Sequence, residues 1–292
     1  MEAIVIGYDG SAAAQAAIDW VGDRVATRSA SVGIVAAAGV FAAAQERPDD
    51  GLDSVAQRLR DRAPDCEVVT AAVPGSMPGA LFNRAAAADL LVIGAHRGRP
   101  LRSAATGWLP LRAAARTPVP LVVVPSEWRP TSGGVVVGVD DDDSSEAAVR
   151  FAADEAAAAG TPLTVVHSWV TPVPRMERGA ALLASPIETR TVHRRVLRRA
   201  IDAIAALHPE LAPRAMLVHD VPGAAVLQAV PDATLVVLGT HHRGPLAGAL
   251  LGSAAQNVLR VAEVPVCIVP GPVADGSGSE GVDSARAVRV DH

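Results

Sequence analysis

The sequence predicts an α/β protein made of two tandem, doubly wound, Rossmann-like parallel sheets of five strands each. Three observations carry this expectation. Near-continuous runs of Val, Leu and Ile, such as Leu90 to Ile93, Leu121 to Val124, Val135 to Val137 and Leu235 to Leu238, alternate with amphipathic helical stretches. That is the pattern of strands covered by helices on both faces. A glycine-punctuated loop follows Leu90 to Ile93 and again follows Leu235 to Leu238. Landmarks also recur at fixed spacing. Asp9 and Asp140, Trp20 and Phe151, and Ile34-Val35 and Val165-Val166 stand 131 residues apart, whereas Gly94 and Gly239, Gly107 and Gly252, Pro120 and Pro265, and Pro125 and Pro270 stand 145 apart. Offsets held over several landmarks indicate an internal duplication.

Composition narrows the chemistry. The chain has 292 residues, 50% of them hydrophobic and 20% charged, with a net charge of −5. This suits two soluble domains and gives no electrostatic case for nucleic acid. Apolar runs stay below the ~18 residues of a membrane span, and no basic flank precedes the first strand, so a cytoplasmic location without membrane contact is expected. All 26 basic residues are arginine, which excludes a Walker A loop, a Schiff-base lysine and a lysine general base. Cys66 and Cys267 fall in different halves and are expected to be inert.

Each element follows from local pattern. Ala3 to Ile6 forms the first strand, and Gly7-Tyr-Asp-Gly-Ser11 leads into a helix from Ala12 to about Arg28, with Asp9 or Ser11 as its cap. Val32 to Ala38 is a strand, Leu52 to Leu59 a helix, Glu67 to Ala72 a strand, Pro78 to Ala88 a helix and Leu90 to Ile93 a strand. A helix runs from after Gly107 to Arg116, and Pro118 to Val124 is the fifth strand. The first domain is expected over 1–125, a Pro- and Gly-rich linker over 126–134, the second domain over 135–270 and a disordered tail over 271–292. The second half is longer between Val170 and His208, where a helix carries Arg190, Arg194, Arg195, Arg198 and Arg199, a basic face expected to be solvated.

In such sheets ligands bind outside the carboxyl ends of the strands. The loops after Asp9, Asp140, Gly94 and Gly239 all lie at that end. Gly239 to Ser253 joins a strand to a helix, and a glycine-rich loop with a helix N-terminus beyond it suits phosphate. The bland readings are tight turns for the glycines, solvated loop positions for His241 and His242, a satisfied core or strand-end position for His167, and simple helix capping for the run Asp140 to Asp143. No metal-ligand spacing and no nucleophile, base and acid set is evident.

These features resemble the universal stress protein family in its tandem actinobacterial form. The resemblance rests on Ile4-Val-Ile-Gly-Tyr-Asp-Gly-Ser11, Val135-Val-Val-Gly-Val-Asp140, Pro162-Leu-Thr-Val-Val-His-Ser-Trp169 and the loops after Gly94 and Gly239. It implies sheets of order 3-2-1-4-5, pairing of the domains through their fifth strands, and a regulatory, stress-response protein that binds adenine nucleotide without committed catalysis. ATP-binding members carry Gly, two residues, Gly, nine residues, Gly, then Ser or Thr. Here Gly239, Gly252 and Ser253 match, and His242 takes the middle glycine. Gly94 and Gly107 match in the first half, where Arg97 takes the middle glycine and Trp108 the hydroxyl. Asp9 and Asp140 match residues that contact the nucleoside. The expectation is weak ATP binding, mainly in the second half, with Mg²⁺ offsetting the carboxylates of Asp141 to Asp143. At most weak ATP hydrolysis is expected, and a homodimer and an unnamed protein partner are candidate partners. The alternative is a scaffold of the same fold that acts through protein contacts without a nucleotide.

Overall fold

The computed structural model describes residues 1–37, 48–73, 77–96, 109–142, 144–171, 186–240 and 251–271. The first half runs β1 (Glu2–Tyr8), α1 (Ala12–Val25), β2 (Ala30–Ala37), α2 (Pro48–Arg62), β3 (Glu67–Val73), α3 (Met77–Ala85), β4 (Leu90–Ala95), α4 (Leu109–Ala114) and β5 (Leu121–Pro125). The second repeats it with β6 (Val135–Val139), α5 (Ser144–Ala159), β7 (Leu163–Trp169), α6 (Pro186–Leu207), β8 (Arg214–His219), α7 (Pro222–Leu227), β9 (Leu235–Thr240), α8 (Ser253–Val261) and β10 (Val266–Pro270).

The strand order is β3-β2-β1-β4-β5-β10-β9-β6-β7-β8, so each half has the order 3-2-1-4-5 and the two fuse into one ten-stranded sheet. Pairing is parallel within each half and antiparallel where β5 meets β10. The apolar fifth strands thereby cover one another instead of standing as open edges.

The core is two slabs, one on each face. Helices α1, α2, α5 and α6 cover the side that holds Ile4, Ile6, Val137 and Val165, while α3, α4, α7 and α8 cover the side that holds Leu91, Ile93, Val236 and Leu238. Alternate residues of one strand therefore enter different slabs, as a pleated strand buried on both faces requires.

Several boundaries differ from expectation for local reasons. α1 ends at Val25, short of Arg28, and Ser11 is its cap. β5 begins at Leu121, past Pro118 and Pro120, which lack the N–H a ladder needs. The helix expected to reach Arg116 stops at Ala114, and Thr117 turns the chain by accepting the Val119 N–H on its hydroxyl. In the tail, residues 272–292 lie outside the described residues.

Candidate functional site

β1 pairs with β4 so that Gly7 lies opposite Ile93, and β6 pairs with β9 so that Gly138 lies opposite Leu238. Asp9 and Asp140 follow directly and stand exposed at the carboxyl rim, beside the ends of β4 and β9. Here the chain departs over one face of the sheet through α1 or α5 and returns over the other through α3 or α7. Such a reversal leaves a crevice between the two central strands.

The two rims are built differently. In the first half Asp9 Oδ1 accepts the Ser11 N–H at 3.0 Å, and Ser11 Oγ accepts the Ala14 N–H at 3.1 Å. In the second half Asp142 stands 131 residues beyond Ser11 and does the capping. Its Oδ1 accepts the N–H of Ser144 at 3.0 Å, that of Ser145 at 3.3 Å and the Ser144 hydroxyl at 2.6 Å. The capping reading of the acidic run is thus realised at Asp142. Asp140 uses its N–H on Ser145 Oγ at 2.7 Å, and its Oδ1 accepts the Asp141 N–H at 2.8 Å. Asp141 forms an exposed ion pair with Arg199 of α6 at 2.8 Å. A cavity of about 390 Å³ opens between α5 and α6, lined by Asp140, Asp141, Ser145, Val149, Val196 and Arg199 among others.

Next to this cavity lies a cluster absent from the expectations above. His167 is 2% exposed, and its Nδ1 donates to the carbonyl of Val139 at 2.8 Å. His167 Nε2 shares a hydrogen bond of 2.9 Å with His193 Nδ1 of α6. The Trp169 ring stacks on His193 at 5.8 Å and leans on His219 at 4.3 Å between centroids. Burial, and then His167, push the His193 pKa below the usual histidine value against the opposing pull of Asp140 and Asp141. In the first half Ala36, wholly buried, holds the place of His167. The expectation of a satisfied core or strand-end histidine at 167 is met as a buried histidine with both ring nitrogens hydrogen-bonded. The alternation of His167 and Trp169, both on one face of a strand ending at the ligand rim, was the signal available for the rest.

The matched glycines divide into two kinds. A Cβ on Gly94 would collide with the carbonyl of Ala13, and one on Gly239 with the carbonyl of Ser144. At both positions the first turn of the helix that leaves the neighbouring strand, α1 after β1 or α5 after β6, presses on the glycine, so packing demands glycine whether or not a ligand approaches. Gly252 is the opposite case. It caps α8 in extended conformation without a side-chain hydrogen bond, and a Cβ there would meet nothing within 4 Å among the described residues. Ser253 beside it is exposed and is the first residue of the helix. The first N–H groups of α8 have no intrahelical partner, and the helix dipole lies behind them. Arg97, Gly107, Trp108, Asp143, His241 and His242 lie outside the described residues. No set of three or more His, Cys, Asp or Glu able to hold a metal occurs among the described residues, and no described helix is long and apolar enough to cross a membrane.

The sequence pattern of the universal stress protein family matches residues 1–125 and 133–270. The chain belongs to the universal stress protein family. A universal stress protein of Mycobacterium tuberculosis is 28% identical over 296 residues, covering 91% of this chain and 95% of its own. Another from the same organism is 31% identical over 159 residues, 51% of this chain and 48% of its own. Among solved structures, a universal stress protein from Archaeoglobus fulgidus superposes with a TM-score of 0.66 at 16% identity, over 92% of this chain and 98% of that one, a likeness of fold.

Proposed function

We propose that this universal stress protein is a stress-response regulator that binds adenine nucleotide, ATP foremost, in its second half. The observation that carries the proposal is the α8 N-terminus, where Gly252 makes no side-chain cap and a Cβ on it would meet nothing within 4 Å among the described residues. Backbone donors backed by a helix dipole favour phosphate, and the Ser253 hydroxyl adds a third kind of donor. The cavity between α5 and α6 and the Trp169 and His193 rings offer an apolar and stacking surface of the sort a base needs. The carboxylates of Asp140 and Asp141 oppose a triphosphate, and Asp142 is committed to its cap, so the residues do not form a resident metal site. Mg²⁺ in this reading would come with the nucleotide and would offset the charge of Asp140 and Asp141. The units proposed are 1–125, the linker 126–134, 135–270 and a tail from 271. The protein is taken to act in the cytoplasm without catalysis, with a protein partner or a second copy reading the bound state.

Calorimetry with ATP and Mg²⁺ on wild type and Ser253→Ala tests the proposal. Loss of one hydrogen bond to a charged group weakens binding by about tenfold or more. No heat from wild type refutes nucleotide binding and leaves the scaffold reading, which the pairing of Asp141 with Arg199 beside the cavity favours.

A further inference from the structure

Two buried pairs mark the line along which the halves meet. In the β5–β10 ladder Cys267 lies opposite Val122, flanked by Val266 opposite Val123 and Ile268 opposite Leu121. Val122 and Cys267 are themselves counterparts at the 145-residue spacing. On the α1 and α5 side of the same seam Arg24 grips Glu155, and these are counterparts at the 131-residue spacing. A two-fold relation brings a residue against its own equivalent only at the axis. Both pairs therefore sit on the pseudo-two-fold axis, and at Arg24 and Glu155 the duplicated position carries opposite charges.

The ionic cluster is buried and complete. Arg24 donates to both oxygens of Glu155, at 2.5 and 2.6 Å, and to both oxygens of Glu2, at 3.0 and 2.7 Å. Arg28 adds a contact to Glu155 at 3.1 Å. The Arg24 and Glu155 side chains are 6% and 9% exposed, and the Arg24 guanidinium lies 5.6 Å from the centre of the Trp20 ring. Burial opposes the charge on Glu155, but Arg24, with Arg28 behind it, outweighs burial and holds the carboxyl below its usual range. The first half brings two guanidinium groups and one carboxylate to the seam, a surplus of one positive charge. The second half brings the single carboxylate that cancels it.

We propose that this cluster selects the partner at the seam: the face of each half fits the opposite half and rejects a second copy of itself. Two first halves joined in the same way would bury Arg24 against Arg24 with both Arg28 side chains nearby and too few carboxylates. Two second halves would bury Glu155 against Glu155 with no cation at all. Like charges held close in a low-dielectric seam cost far more than the same charges in water. The apolar strands cannot make this distinction, since Leu121 to Val124 and Val266 to Val269 offer similar edges. A buried ion pair is a poor source of net stability compared with a packed apolar pair, whereas its sign pattern discriminates between partners. Selection acts while the chain is made. The first half is complete before the second, and its bare seam then meets first halves of neighbouring chains, the usual route by which repeat proteins misassemble.

The test uses the full chain with a neutral pair of faces, Glu2→Gln/Arg24→Leu/Arg28→Gln/Glu155→Leu, and an exchanged pair, Glu2→Arg/Arg24→Glu/Arg28→Glu/Glu155→Arg, which reverses every charge of the cluster. Each protein is unfolded in denaturant and refolded over a range of concentrations. Size-exclusion chromatography with light scattering then measures assembly, and thermal melting measures stability. The neutral pair is expected to match the wild-type melting temperature or exceed it, yet its share of non-native assemblies rises about threefold or more from dilute to concentrated refolding. The exchanged pair is expected to keep the wild-type distribution at every concentration. The proposal falls if the neutral pair assembles as wild type does throughout, or if the exchanged pair misassembles as much as the neutral pair.

Discussion

Gly252→Asp should make this protein more stable and a poorer nucleotide binder at once. Gly252 caps α8 at φ −57° and ψ 151°, which any residue adopts without strain, and a Cβ there has no neighbour within 4 Å among the described residues. An aspartate side chain can accept an N–H of the first turn, which glycine cannot do. It gains a few tenths of a kcal/mol from the N–H groups of the first turn and about 0.3–1 kcal/mol from the helix dipole. For a chain of this size that raises the melting temperature by roughly 1–3 °C. The same carboxylate occupies the donors and repels phosphate, so ATP affinity should fall by about tenfold or more. Gly239→Ala is the control with the opposite signature. Its methyl group would enter the Ser144 carbonyl, so overpacking should cost about 1–3 kcal/mol and lower the melting temperature by roughly 3–10 °C. Scanning calorimetry reads the first quantity and titration calorimetry the second. A destabilised Gly252→Asp variant, or one that binds ATP as wild type does, would refute the account of the α8 terminus.

Other consequences concern charge. Glu155→Ala leaves Arg24 buried with only Glu2, and chemical denaturation should show a loss of about 3–5 kcal/mol. Because the Glu155 pKa is depressed in the fold, its contribution is present above the unfolded carboxylate value near 4.5 and disappears as pH falls through the lower folded value, so acid unfolding of Glu155→Gln should lack that component. His193 is also depressed, first by burial and then by His167. It favours the fold while neutral, and stability should decline as pH drops below the unfolded histidine value near 6.5, with a change in Trp169 fluorescence that His193→Gln abolishes. His208 runs the other way. The hydrogen bond to Asp154 of α5 raises its pKa, so the link between α6 and α5 is fully present below about 6.5 and fades as pH rises through the folded value, a slope that His208→Gln should remove from a melting-temperature profile.

The alternation of strands and helices was readable because buried parallel strands require unbroken apolar runs, and Leu121 to Val124 or Leu235 to Leu238 are too short and too β-branched to be read as helices. Boundaries were less so. Pro118 and Pro120 continue an apolar pattern that the hydrogen-bond ladder cannot accept, which moved the start of β5. Among site residues, Asp9 and Asp140 reached the rim as the pattern implied. Gly94 and Gly239 show where pattern is ambiguous, since a glycine after a strand looks the same whether it admits a phosphate or the first turn of a helix. The distance from strand to helix that separates these cases is absent from the sequence. The contact of Arg24 with Glu155 depends on how two halves dock. Yet their spacing of 131 equals that of Asp9 and Asp140, so the duplication already marked them as counterparts.

The antiparallel junction of β5 with β10 turns the two halves head to tail. Each half keeps its strands parallel, so the carboxyl ends of β1 and β4 point one way and those of β6 and β9 the other. Asp9 and Asp140 accordingly open onto opposite rims of a single plate, separated by at least a strand length of about 17 Å. A protein that caps one rim leaves the other uncovered, and two different molecules can be held at once without touching. The duplication therefore made a plate with two ends, whose shared middle ladder of β5 and β10 sets the spacing and orientation of one rim relative to the other.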